Sequence, residues 1–154
     1  MKLSTREDIE APIDYVFGRA SDFASFEKRA LRQGAQVSQR NEGPVQTGNI
    51  WDISFQFRGR SRKVEAKLTQ LDPPQIIEIE SDSDGLIALT QVELIALSPA
   101  RTRVMVSFDL RAKTLTGRLL VQSLKLAKSK LSNRFNARVK DYAEDVEDDY
   151  RRRG

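Results

Sequence analysis

The sequence predicts an α+β fold: a long antiparallel β-meander with one apolar face, a long C-terminal helix to cover it, and two short helices near the N-terminus. Three observations carry this reading. Between positions 35 and 112 hydrophobic residues recur with a period of two, in runs separated by turn residues. From about position 114 the period becomes helical. Three hairpin turns, read independently, leave the apolar residues of successive strands on one common face, which a one-residue slip would invert.

Residues 2–10 alternate as a first strand, with Thr5 and Glu7 sharing the parity of Leu3 and Ile9. Pro12 then opens "PIDYVFGRASD", where Ile13, Val16, Phe17 and Ala20 stand at helical spacing. "FASFEKRALRQ" reads as a second short helix stopped by Gly34. The runs "IWDISFQF", "RKVEAKLTQL", "QIIEIES", "LIALTQVELIAL" and "TRVMVSFDL" follow as strands.

The turns propose a register. With Gly59 at its first central position, a type II′ turn in Arg58-Gly59-Arg60-Ser61 pairs Phe55 with Val64, Ile53 with Ala66 and Trp51 with Leu68. The same turn sets Asp52 opposite Lys67 and Gln56 opposite Lys63. Asp84-Gly85 suits a type I′ turn that places Ile79 opposite Thr90 and Ile77 opposite Val92. A loop at 98–100 aligns Leu94 with Val104, Val92 with Val106 and Thr90 with Phe108. One face of such a sheet needs a cover.

The cover is the C-terminal helix, where Leu120, Leu124, Ala127, Leu131, Phe135, Val139 and Tyr142 fall on one broad face. A continuous helix over 114–153 would be about 60 Å long, against about 40 Å for a domain of this size. It is therefore expected to cross the sheet until Tyr142, with about 141–154 as a charged extension overhanging a single domain of 1–154. Positions 113–140 hold eight Lys or Arg and no acid, and 141–149 then hold six acids. Arg118, Lys125, Lys128, Lys130, Arg134, Arg138 and Lys140 scatter around the helical wheel, whereas a membrane-surface helix gathers its cations on one face. A solvated core helix is preferred over a membrane or nucleic-acid contact. Leu115, Leu119 and Leu126 lie opposite the main apolar face, either packed on the short helices or free to join a second copy of the chain.

Composition narrows the chemistry. The chain has 154 residues and a net charge of +4, too small a basic field to argue for nucleic acid by itself. It has neither Cys nor His. That removes disulfides, Ser-His-Asp and Cys-His nucleophilic arrangements and the usual zinc or iron ligands. No metal-ligand spacing and no phosphate-binding glycine loop is present, so no cofactor is expected. No window reaches the length of an apolar membrane span and the N-terminus has no apolar signal core, which makes cytoplasmic location the default reading.

The opening "IEAPIDYVFGRASD" resembles the START-like superfamily, which includes polyketide cyclase/dehydrase-like proteins, coenzyme Q-binding proteins and the birch-pollen-allergen fold. The matching residues are Ala11-Pro12 at the helix start, Val16-Phe17 one turn later and Asp22 closing the helix. Gly48 before the Trp51 strand, "LDPPQ" at 71–75 and "LSPARTRV" at 97–104 resemble that group's recurring turns. The likeness spans nearly the whole chain and implies a helix-grip fold, a curved antiparallel sheet gripping the C-terminal helix around a cavity. Members mostly bind lipids, sterols, quinones or polyketides; some catalyse cyclisation or hydration, and others act as co-chaperones. The charged segment 141–153 departs from the pattern.

The inward face proposed for a hydrophobic ligand comprises Trp51, Ile53, Phe55, Phe57, Ala66, Ile79, Ser81, Ala88, Thr90, Val92, Val106 and Phe108 from the sheet. Leu124, Leu131 and Phe135 face it from the helix, with Glu7 as a polar candidate from the first strand. Small residues such as Ala66, Ser81 and Ala88 leave room for a ligand or else for close approach of the helix. The expected function is to hold a small hydrophobic molecule there, oriented by Thr90, Ser81 or Glu7. Two alternatives stand beside it. One is a cyclase- or hydratase-like reaction on Glu7, Tyr142 or an ordered water. The other is an interaction protein using Leu115, Leu119 and Leu126. Arg62 has inward parity, but its place beside the cationic tip "RGRSRK" predicts a side chain that reaches solvent. Across the sheet, "ESDSD" at 80–84 is placed to neutralise that tip.

Overall fold

In a computed structural model, residues 1–153 are described. The strands are β1 (Lys2–Ile9), β2 (Gln36–Gln39), β3 (Ile50–Phe57), β4 (Arg60–Asp72), β5 (Ile76–Ser83), β6 (Leu86–Ser98) and β7 (Arg101–Ala112). The helices are α1 (Ile13–Ala20), α2 (Phe23–Arg32), α3 (Leu115–Lys125) and α4 (Lys128–Arg153). The strands form one curved antiparallel sheet in the order β1-β7-β6-β5-β4-β3-β2, so the N-terminal strand closes the meander by pairing with β7.

Local chemistry accounts for the helix starts. Asp22 caps α2 by accepting a 3.2 Å hydrogen bond from the Ser25 amide, and Thr114 caps α3 by accepting from the Gly117 amide at 3.0 Å. Pro12 sits at the cap of α1 with extended ψ, one residue before the helix begins.

Two turns behave as their sequences predict. Asp84 and Gly85, with φ of 43° and 81°, close a two-residue turn that sets Ile79 against Thr90 and Ile77 against Val92. The β6–β7 connection sets Leu94 against Val104, Val92 against Val106 and Thr90 against Phe108. The β3–β4 turn differs. Arg58 and Gly59 are its central residues, with φ of 53° and 74°, and Phe57 pairs with Arg60. The turn is thus of the I′ kind, with positive φ at both centres. The register moves by two residues: Trp51 faces Ala66, Ile53 faces Val64 and Phe55 faces Arg62. A shift of two keeps every side chain on its expected face, but it brings Asp52 opposite Glu65 instead of Lys67. Arg40, just beyond β2, lies between the two acids at 2.6 Å and 3.2 Å and offsets their repulsion.

The C-terminal helix also departs from expectation. Between α3 and α4 the backbone ladder tightens, Leu126 donating to Ser123 and Ala127 to Leu124. Nor does its acidic end overhang. Ala143 and Val146 are buried, Tyr150 packs on the main core and its ring lies 4.9 Å from that of Tyr15. Asp141, Glu144 and Asp145 occupy the wet side of the helix, while Glu147 and Asp149, accepting from the Glu10 amide and from Arg19, flank an apolar stripe that continues four residues at a time beyond Tyr142.

Two apolar clusters result. The larger joins Ile9, Val16, Trp51, Leu68, Ile77, Leu94 and Val104 to Ala143 and Val146. The smaller joins Ala88, Leu110 and Val121, with Met1, Leu86, Phe108 and Leu124 against it. Because α4 packs along β1 and α3 along β7, the distal part of β3 and β4 keeps an incompletely covered inner face. There Phe57 is exposed and Phe55 only half-buried.

Candidate functional site

Beside the smaller cluster a cleft of about 460 Å³ opens between the sheet and the α3–α4 junction. Phe55, Phe57, Val64, Ala88, Phe108 and Leu110 form its sheet wall, and Leu120, Leu124 and Leu131 its helical wall. Met1, Leu3 and Leu86 complete the apolar lining. Its polar members, Arg62, Ser81, Ser83 and Asp84, come from adjoining segments of β4, β5 and the β5–β6 turn. Ser83 is engaged, donating from Oγ to the Lys63 carbonyl at 2.5 Å.

Of the residues proposed from sequence, Phe55, Phe57, Ser81, Ala88, Phe108, Leu124 and Leu131 are brought together in this cleft. Others lie outside it, most of them packed in or against the larger cluster. Trp51 is 4% exposed, stacks against Phe23 at 5.2 Å between centroids, and donates from Nε1 to Glu27 at 2.6 Å. It is a packing residue beneath α2, and Ala66 is buried in the same cluster. Ile53, Ile79, Val92 and Val106 pack against that cluster too. Thr90 and Phe135 are half-buried outside the cleft lining. Glu7 pairs with Val104 at the β1 edge of the sheet, also away from the lining. Tyr142 is held in the α1–α2 corner near Phe26, where burial pushes its hydroxyl up to about 12. The α1–α2 layer is the physical reason for this separation: it fills one end of the sheet's concavity and leaves the other open.

Arg62 is the residue the sequence misplaces. Its side chain is 22% exposed, and the Nε is shielded from solvent with no hydrogen-bond partner. The guanidinium carbon lies 5.9 Å from the Phe57 ring centroid, and Nη1 is 3.8 Å from Asp84 Oδ2. Its inward parity was the correct signal; the Phe57 ring holds the stem down where a free hairpin tip would release it. Arg58 and Arg60 do stay exposed, and the acids of 80–84 are divided among different cations, Asp82 pairing with Lys113 at 2.6 Å. Leu115, Leu119 and Leu126 are 72%, 60% and 91% exposed.

No family model and no curated protein matches the sequence. Solved structures do match. The chain superposes on the Zhui aromatase/cyclase from Streptomyces sp. R1128 with a TM-score of 0.65, at 12% identity over 96% of this chain and 93% of that one. The TTHA0849 protein from Thermus thermophilus gives 0.63 at 16% identity, covering 95% and 97%. An Hsp90 activator from Plasmodium falciparum gives 0.50 at 15% identity, covering 71% and 72%. The fold is START-like, a helix-grip α+β architecture. At such identities the likeness establishes architecture, and the differing activities named for these neighbours have to be argued from each site. Among the described residues no helix is long and apolar enough to cross a membrane.

Proposed function

We propose that residues 1–154 act as one cytoplasmic domain that binds and carries a small hydrophobic molecule in the cleft between the sheet and the α3–α4 junction. The observation that supports it is the composition of that cleft: about 460 Å³ walled by Phe55, Phe57, Val64, Phe108, Leu120 and Leu124, with few polar groups. A volume of this size suits a drug-sized or single-chain ligand. Binding would draw on apolar burial at roughly 25 cal/mol per Å², with the few polar groups at one end fixing orientation. A reaction is less well supported, because Glu7 and Tyr142, the groups proposed for acid–base work, lie outside the cleft.

The test has two parts. Native mass spectrometry followed by organic extraction would identify a molecule carried through purification. Titration with a neutral naphthylamine dye would show enhanced, saturable fluorescence that extracted or added hydrophobic ligands displace. A protein that neither carries a ligand nor enhances the dye would overturn the reading.

A further inference from the structure

The cleft has a chemically distinct end. Among the described residues, Arg62 is the only one whose side chain brings a positive charge to its wall. The terminal ammonium at Met1 also comes near, but it already donates to the Leu110 carbonyl at 2.7 Å. The Arg62 Nε is withdrawn from solvent and has no hydrogen-bond partner. A guanidinium offers five donors in a planar fork. Asp84 stands 3.8 Å from Nη1, near enough to offset charge and too far to occupy a donor. A shielded donor without a partner is costly to a fold, and it persists where something else satisfies it.

Resting on the reading of the cleft as a ligand site, we infer that its ligand is an anionic amphiphile: a single apolar body whose carboxylate is received by Arg62. A carboxylate matches the guanidinium fork with two parallel hydrogen bonds, and the surrounding apolar walls reduce the screening that weakens such a pair in water. The body of the ligand then runs from Phe57 toward Leu124 and Leu131. Phe57 stacks beneath the cation and fixes the fork's position, so the charged end of the site is largely formed before the ligand arrives. Asp84 competes with the ligand for the same charge and sets a ceiling on affinity.

The test compares decanoate with decanol, which share a chain and differ in the head, by calorimetric titration of the full chain near neutral pH. The wild-type protein is expected to prefer decanoate by about tenfold or more. Arg62→Gln should bring the two affinities within about twofold, and its far-ultraviolet circular dichroism and unfolding curve certify that the variant is folded. Asp84→Asn, whose side chain tolerates the positive φ of that turn, should tighten decanoate several-fold. Equal binding of decanoate and decanol to the wild type would overturn the inference and leave the cleft reading standing. If neither chain binds, both fall. The wild-type comparison decides the matter even if a variant fails to fold.

Discussion

Arg19 donates from Nη1 to Asp149 Oδ2 at 2.6 Å, joining α1 to the last turn of α4 across 130 residues of chain. The contact marks where the acidic C-terminal segment goes, but it does not hold the segment there by itself. Both partners are partly exposed, at 28% and 40%, and such pairs contribute about 0–1 kcal/mol. Val146, one turn earlier, is fully buried in the main cluster. Asp149→Asn should therefore cost under about 1 kcal/mol and Val146→Ala about 1–3 kcal/mol. Urea denaturation of both variants checks the order. Equal costs would mean that the ion pair contributes as much as the apolar stripe to anchoring the helix end.

Tyr142 supplies a pH signature. Burial holds its hydroxyl neutral to about pH 12 in the folded chain, against an ordinary value of 10.0. The unfolded chain loses this proton first as pH rises, so the contribution is fully present below pH 10 and disappears between 10 and 12. The amount is about 2 kcal/mol, from two pH units at roughly 1.4 kcal/mol each with allowance for partial exposure. Tyr142→Phe removes the titrating group and, with it, a buried hydroxyl that has no protein partner. Its stability at pH 7 should equal or exceed that of the parent, and the difference should widen by about 2 kcal/mol between pH 10 and 12. Parallel denaturation curves at the two pH values test this, and an unchanged difference would contradict the burial.

Gly117 meets the β5–β6 turn. A Cβ built on it would fall inside van der Waals contact of the Gly85 carbonyl oxygen, which already accepts from the Lys113 amide at 2.7 Å. Alanine ordinarily stabilises a helix by about 1 kcal/mol over glycine, but here its methyl group would strike backbone. Overpacking of this kind costs about 1–3 kcal/mol, so Gly117→Ala should destabilise on balance. Thermal unfolding gives the sign directly. A higher Tm would show that α3 can slide on the sheet without penalty.

How far the sequence discloses all this depends on the element. Asp84-Gly85 demands positive φ at two adjacent positions, which few residue pairs tolerate, and so its register is legible from composition alone. Arg58-Gly59 uses the same geometry with an arginine where asparagine or aspartate is usual, so Gly59 points to the wrong turn type and the strands slip by two. Side-chain parity survives such an error, which is why Phe55, Phe57, Ser81, Ala88 and Phe108 were recognisable as inward-facing. Parity does not say which inward residues the helices will cover. Trp51 and Ala66 lie beneath the layer that includes α1 and α2, while Phe55 and Phe57 lie beyond it. That is a property of where α1, α2 and α4 dock, read only from the assembled layers. Arg62 was hidden for a similar reason, since the aromatic ring that retains it belongs to the neighbouring strand.

Ala88 gives the most direct route to the cleft itself. It is 8% exposed on β6, opposite Ser81 and Leu110, and its methyl group forms part of the sheet wall. Ala88→Leu adds three carbons there. In a filled core the extra volume would cost about 1–3 kcal/mol; against an open cleft the leucine can turn into free space, and the cost should fall below about 1 kcal/mol. The same side chain would occupy ligand volume, so affinity for a neutral hydrophobic dye should drop tenfold or more. Leu126→Ser, at a site 91% exposed and outside the cleft lining, is the matched control and should leave dye binding unchanged. A variant that binds dye as the parent does while losing several kcal/mol of stability would mean that Ala88 abuts packed protein. The ligand site would then have to be sought elsewhere.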